Sequence, residues 1–300
     1  MGFITAVALL AIVSGLTCAL PGTFLVLRHQ SMLVEAMSHT VLPGIVIGVL
    51  ISGSTYSPIM IVTATSMGII VVLGAHWIQK TGLVVGDANQ GLIFPVLFAI
   101  GVLILSTTLS QVHISEETVL AGDINLMALE PERIILNGID IGPRMMWIML
   151  SVFLSGAALM AIAYPVLKIS TFDPVLAESM GLPVKIVDFV LMIWTSLTVV
   201  VAFNTVGAIL VVALMIVPPA TALLVAKTLP HMLAISLGLA SITALIGFYI
   251  ALQFDLGTAS TMATFNGIVF LAFFIFLKRR RQNVIDEGHH EPKGMAVHAH

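Results

Sequence analysis

Charge is what this sequence has least of. Only 9% of its 300 residues are Asp, Glu, Lys or Arg, while 59% are hydrophobic. A soluble domain carries roughly 25% charged and about 45–50% apolar residues. So few polar groups do not cover a water-facing globule, and the composition excludes one. The bilayer is then the solvent, and lipid contact is expected over most of the surface. A basic excess is missing too: 12 Lys and Arg stand against 15 Asp and Glu, for a net charge of -3. A nucleic-acid partner needs a basic face, so none is expected. Cysteine is nearly absent. Cys18 stands alone in an apolar run, which excludes an intramolecular disulfide and any Cys-rich zinc or iron–sulfur site.

Several motifs are lacking as well. No Gly-x-x-x-x-Gly-Lys-[Ser/Thr] phosphate loop occurs, so the chain does not bind ATP in that way. No His-Glu-x-x-His or Gly-x-Ser-x-Gly pattern is present, so a membrane protease or esterase has no support and the chain is not expected to be an enzyme. The first 27 residues lack a basic leading region, and their apolar run is too long for a signal-peptide core. A first membrane span is expected there.

What is present is a series of long apolar runs. Within lipid only helices and closed β-barrels satisfy their own backbone. Runs of about 20 residues fit helices, whereas barrel strands are about half that length and alternate strictly. The runs lie at 3–27, 32–52, 57–79, 91–110, 145–167, 186–204, 206–226, 231–252 and 262–278. The reading is an all-α integral membrane protein of eight or nine spans. The count turns on 186–226, a nearly continuous stretch divided here at Asn204–Gly207. Gly44 and Gly48 form a small-xxx-small pair of the kind that lets helices approach closely. The Val217-Pro218-Pro219 step is expected to break a helix.

Basic residues set the expected orientation. Arg28, Lys80, Lys168, Lys185, Lys227 and the run Lys278-Arg279-Arg280-Arg281 share one side. The opposite side has Arg133 and Arg144, both in a long loop over 111–144 that also carries Glu116, Glu117, Asp123, Glu130, Glu132 and Asp140. The C-terminus is therefore expected in the cytoplasm, with the N-terminus and the acidic loop outside. A membrane-embedded domain spans 1–278, followed by a His-rich cytoplasmic tail at 279–300. His76, His113 and His231 fall near span ends and read as interfacial.

Glu35 and His39, near the start of the second span, are the strongest chemical signal. Residues four apart share a helix face. Carboxylate and imidazole are costly inside a membrane, and there they usually mark function. Together they offer one oxygen and one nitrogen donor, suited to Mn, Fe or Zn rather than soft Cu(I). Two donors do not fill a coordination shell, so other helices, water or a second subunit must supply the rest. The alternative is that Glu35 sits at the headgroup level and pairs with His39 or Arg28.

The segment 168–185 is the longest internal loop on the basic side. Thr171 or Asp173 is placed to cap a short helix over 174–180, with Pro174 first and Gly181 as its stop. A cytoplasmic partner would grip such a helix; a plain connector is the alternative. In the tail, His289, His290, His298 and His300 with nearby acids form a tract able to bind metal weakly, or a passive extension.

Four stretches taken together resemble the permease subunits of the manganese/zinc/iron ABC importers, the ABC-3 family. They are LVEAMSHTVLPG at 33–44, LNGIDIGP at 136–143, STFDPVLAESMGLPV at 170–184 and VGAILVVALMIVPPATA at 206–222. The resemblance covers nearly all of 1–278. It implies a type II, vitamin B12 permease-like importer fold in the plasma (inner) membrane of a bacterium. It implies Glu35 and His39 as transport-path metal ligands, Glu35 standing where the family usually has Asp. It implies a coupling helix at 170–184 in which Thr171, Phe172, Asp173, Glu178, Gly181 and Pro183 meet partner ATPase subunits. A second permease subunit, identical or paralogous, and an extracytoplasmic metal-binding protein complete the expected assembly. Divalent Mn2+, Zn2+ or Fe2+ would be substrate, with no permanently bound cofactor. An ATP-independent secondary metal transporter or channel is the alternative; it would need more intramembrane charge than the sequence has.

Overall fold

A computed structural model of the chain describes residues 2–53, 58–82, 88–108, 124–129, 133–136 and 139–289. Among them are nine helices of 18 residues or more: α1 (Phe3–Leu27), α2 (Ser31–Ser52), α3 (Pro58–Lys80), α4 (Ala88–Thr108), α6 (Arg144–Phe172), α8 (Val184–Val206), α9 (Ala208–Val225), α10 (Leu229–Phe254) and α11 (Thr258–His289). Two short helices, α5 (Ile124–Leu129) and α7 (Pro174–Ser179), lie between them. Eight of the long helices are long and apolar enough to cross a membrane, and α4 contributes a shorter apolar stretch, Gly91–Thr107. Every expected span thus corresponds to a helix.

The division of 186–226 falls where the sequence is most permissive. Gly207 has φ 79°, ends α8 and precedes α9. A positive φ is open to glycine at little cost, so the chain turns there within one residue.

The expectation at Pro218 and Pro219 is corrected. Helix α9 runs through both prolines without a break. They remove two N–H donors, not the helical backbone around them. One of the carbonyls they free, that of Met215, faces Gly22 of α1 so closely that a Cβ at Gly22 would collide with it. Packing of α1 against α9 encloses the step and holds it helical.

The interior is built by α1, which packs against α6, α8, α9 and α10. Its core residues include Leu10, Cys18, Phe24 and Leu25, all buried. Buried hydroxyls return to the preceding turn, as in Thr23 Oγ1 to the Ala19 carbonyl at 2.8 Å, and some also bridge helices, as in Thr23 Oγ1 to Ser236 Oγ at 3.1 Å. Thr243 Oγ1 donates to Asn266 Oδ1 at 2.8 Å and ties α10 to α11.

Against this centre lies the pair α2–α3, packed through the expected small residues. A Cβ on Gly44 would strike the Ala64 backbone, and one on Gly48 would lie 2.7 Å from Met60 Cα. Thr63 Oγ1 donates to the Gly44 carbonyl at 2.8 Å across the same contact. Helix α4 runs parallel to α2, with Gly101 against Pro43 and Leu105 clustered with Leu42 and Val46.

The loop over 111–144 holds local structure that the sequence reading did not anticipate. Strands β1 (Arg133–Leu136) and β2 (Ile139–Pro143) pair antiparallel, Leu136 opposite Ile139, and α5 docks on α1. Asn125 Nδ2 donates to Thr258 Oγ1 at 2.9 Å, fastening α5 to the start of α11. The acidic residues Glu116, Glu117, Asp123, Glu130 and Glu132 lie outside the described residues, as does His113.

Candidate functional site

Helix α2 is buried over most of its circumference, Leu33, Val34, Ala36, Met37, Ser38 and Thr40 through Val46 among its enclosed residues. Glu35 and His39 interrupt that pattern, each only half-buried. Exposed Met32 extends the same stripe one turn earlier. The two predicted ligand positions therefore share an open strip on an otherwise enclosed helix, one turn apart.

Helix α4 flanks the strip. The His39 ring stacks on Phe94, centroids 5.3 Å apart and planes 18° apart, and meets Phe98 edge-on at 5.9 Å and 78°. Phe94 and Phe98 are themselves one turn apart, so one face of α4 brackets the imidazole. Sequence reasoning missed this pair. Its only signal was two aromatics at i and i+4 in an apolar run, which also describes ordinary packing.

Among the described residues neither Glu35 nor His39 has a hydrogen bond or ion pair, and no group of three or more His, Cys, Asp or Glu gathers to hold a metal. The chain thus offers two donors here. The alternative pairing of Glu35 with Arg28 is not found, because Arg28 is engaged elsewhere. Its Nη1 lies 2.6 Å from Asp188 Oδ1, its Nη2 donates to Ser170 Oγ at 3.0 Å, and its Nε donates to Thr171 Oγ1 at 3.1 Å.

The second predicted cluster forms a compact turn. Helix α6 ends at Phe172, and Asp173 caps α7 by accepting from the Leu176 N–H at 2.9 Å. Pro174 takes the first helical position, where no N–H is needed. Gly181 at φ 71° closes the turn, and Pro183 precedes α8. Ala177 is buried beneath, while Phe172, Val175, Leu176 and Met180 stand exposed with Glu178. Thr171, Phe172, Asp173, Glu178, Gly181 and Pro183 are therefore assembled in one knuckle, set apart from the Glu35–His39 strip. Of the tail candidates, His289 ends α11, and His290, His298 and His300 lie outside the described residues. His76 and His231 are exposed.

The model of the ABC 3 transport family matches residues 1–277. The chain belongs to that family. It is 38% identical over 262 residues to the manganese transport system membrane protein MntD of Bacillus subtilis, covering 87% of this chain and 88% of that one. To the zinc transport system membrane protein TroD of Treponema pallidum it is 41% identical over 270 residues, covering 90% of this chain and 73% of the relative. Among solved structures it superposes on a chain of PsaBC from Streptococcus pneumoniae in complex with Fab, with a TM-score of 0.75, 26% identity and 91% of each chain covered. Family membership makes this multi-pass protein a membrane-spanning permease.

Proposed function

We infer that the chain is the permease subunit of an ABC importer for a divalent transition metal, with Glu35 and His39 as its contribution to the metal path. The observation that carries the reading is the carboxylate–imidazole pair on the open strip of α2, neither member hydrogen-bonded or ion-paired to a described residue. Manganese and zinc in the relatives' names agree with an oxygen–nitrogen donor pair. The pair replaces part of the ion's water shell during passage. A second permease subunit, a copy or a paralogue, presents the matching donors. A carboxylate and an imidazole from each subunit suit release of the ion better than a closed four-cysteine cage.

The knuckle at 171–183 is the grip for partner ATPase subunits, which supply the ATP hydrolysis this chain lacks. Its exposed Phe172, Val175, Leu176 and Met180 form an apolar surface rimmed by Glu178 and Asp173. Partner contact explains why apolar residues stand exposed at this turn between α6 and α8. In this reading the knuckle and the C-terminus face the cytoplasm of a bacterium, which the basic residues at the helix ends support, and an extracytoplasmic binding protein delivers the ion opposite.

Reconstitution in liposomes tests the reading. Uptake of radiolabelled Mn2+ or Zn2+ is expected only when the chain is assembled with its ATPase partners and supplied with ATP. Uptake by the purified chain alone, down a gradient and without ATP, would instead establish a secondary transporter or channel.

A further inference from the structure

We propose that Arg28 is the residue that carries movement of the α7 knuckle to α2, the helix bearing Glu35 and His39; the inference rests on the coupling and metal-path reading above. Arg28 stands at the end of α1, and its side chain is only 9% exposed. All three guanidinium nitrogens are used. Nη2 and Nε reach Ser170 Oγ and Thr171 Oγ1 at the end of α6, where the knuckle begins. Nη1 reaches Asp188 in the opening turns of α8, immediately after it. One side chain therefore fastens both ends of the knuckle.

The knuckle is internally braced. The Asp173 cap, the Met180 N–H to the Leu176 carbonyl at 3.0 Å, and the Leu182 N–H to the Ala177 carbonyl at 3.2 Å tie it across its width. Such a piece shifts as a unit. The other side of Arg28 is braced as well. The His29 N–H donates to the Val26 carbonyl at 3.1 Å and the Gln30 N–H to the Leu25 carbonyl at 2.9 Å, with His29 at φ 56°. Helix α2 starts one residue later, at Ser31. A push on the knuckle thus arrives at the start of α2 through a short turn held by these backbone hydrogen bonds, and Glu35 and His39 ride on that helix.

The chemistry favours a fork over a point charge. A guanidinium addresses three groups on two helices in one plane, whereas an ammonium keeps the ion pair but does not span the same three partners. Asp188 is the carboxylate that compensates Arg28 among the described residues, so deleting either charge disturbs folding as well as transmission. The informative variants keep the charge and remove the fork. They are Arg28→Lys and Ser170→Ala, Ser170 lying just outside the 171–183 grip.

The test uses the complete importer in liposomes, with metal uptake and ATP hydrolysis read in parallel. Both variants are expected to copurify with the ATPases and to hydrolyse ATP. Uptake per ATP should fall roughly fivefold or more, with the half-saturating metal concentration unchanged. A residue with a purely structural role would lower assembly and hydrolysis together. Wild-type uptake per ATP in both variants overturns the proposal. Gly181→Val in the knuckle separates the two levels of inference. If it uncouples while the Arg28 and Ser170 variants do not, only the transmission role falls. If none of them uncouples, the coupling reading of the knuckle falls with it.

Discussion

At the residue scale the proposed metal path depends on how an imidazole is presented. His39 lies against Phe94 and is met by the edge of Phe98, so its ring plane is fixed by α4 rather than by a hydrogen bond. A ring pair of this kind is worth about 0.5–1.5 kcal/mol beyond its buried area. Phe94→Ala is therefore expected to raise the half-saturating metal concentration for uptake by roughly three- to tenfold without abolishing transport. Uptake curves on the assembled importer measure it, and an unchanged half-saturation point removes the positioning role. Glu35 and His39 themselves were legible in the sequence, because a four-residue spacing fixes a shared face in any helix. Their aromatic bracket was not, since the α2–α4 contact is tertiary. Nor was the partner of Arg28. Sequence nearness suggested Glu35, whereas the ends of α6 and α8 bring Ser170, Thr171 and Asp188 to it.

Elements were legible to different degrees. Nine apolar runs gave nine long helices because lipid leaves the backbone few other choices. The double proline misled, because a proline rule drawn from water overlooks a helix enclosed by its neighbours. The hairpin β1–β2 had a sequence signal that was passed over, the dipeptide Asn137-Gly138 between the Ile-bearing stretches at 133–136 and 139–143. Close packing gives a direct test of the α2–α3 pair. Gly44→Ala drives a methyl into the Ala64 backbone and is expected to destabilise by about 1–3 kcal/mol, read as a lower unfolding temperature in detergent. Gly238→Ala is the control, since nothing lies within 4 Å of its added Cβ and stability should hold or rise slightly. In the knuckle, Asp173→Ala removes a cap and should cost about 1 kcal/mol of local stability. Faster amide exchange at Leu176 and Ala177 would register it, and wild-type protection would count against the cap.

For the whole molecule, the loop ends define two faces. The proposed orientation puts Lys227 inside and Leu256 outside, and both are exposed. Native Cys18 is buried, so single cysteines introduced at these positions report cleanly. An impermeant thiol reagent is expected to label Leu256→Cys in intact cells and Lys227→Cys only after permeabilisation; the reverse pattern inverts the topology. The central claim is that metal passes the open strip of α2. Its most direct measurement is radiolabelled metal uptake by Glu35→Ala and His39→Ala importers that still copurify with their ATPases and still hydrolyse ATP. Uptake reduced to background in both is the predicted result. Uptake at the wild-type rate in either variant would place the metal path elsewhere in the bundle.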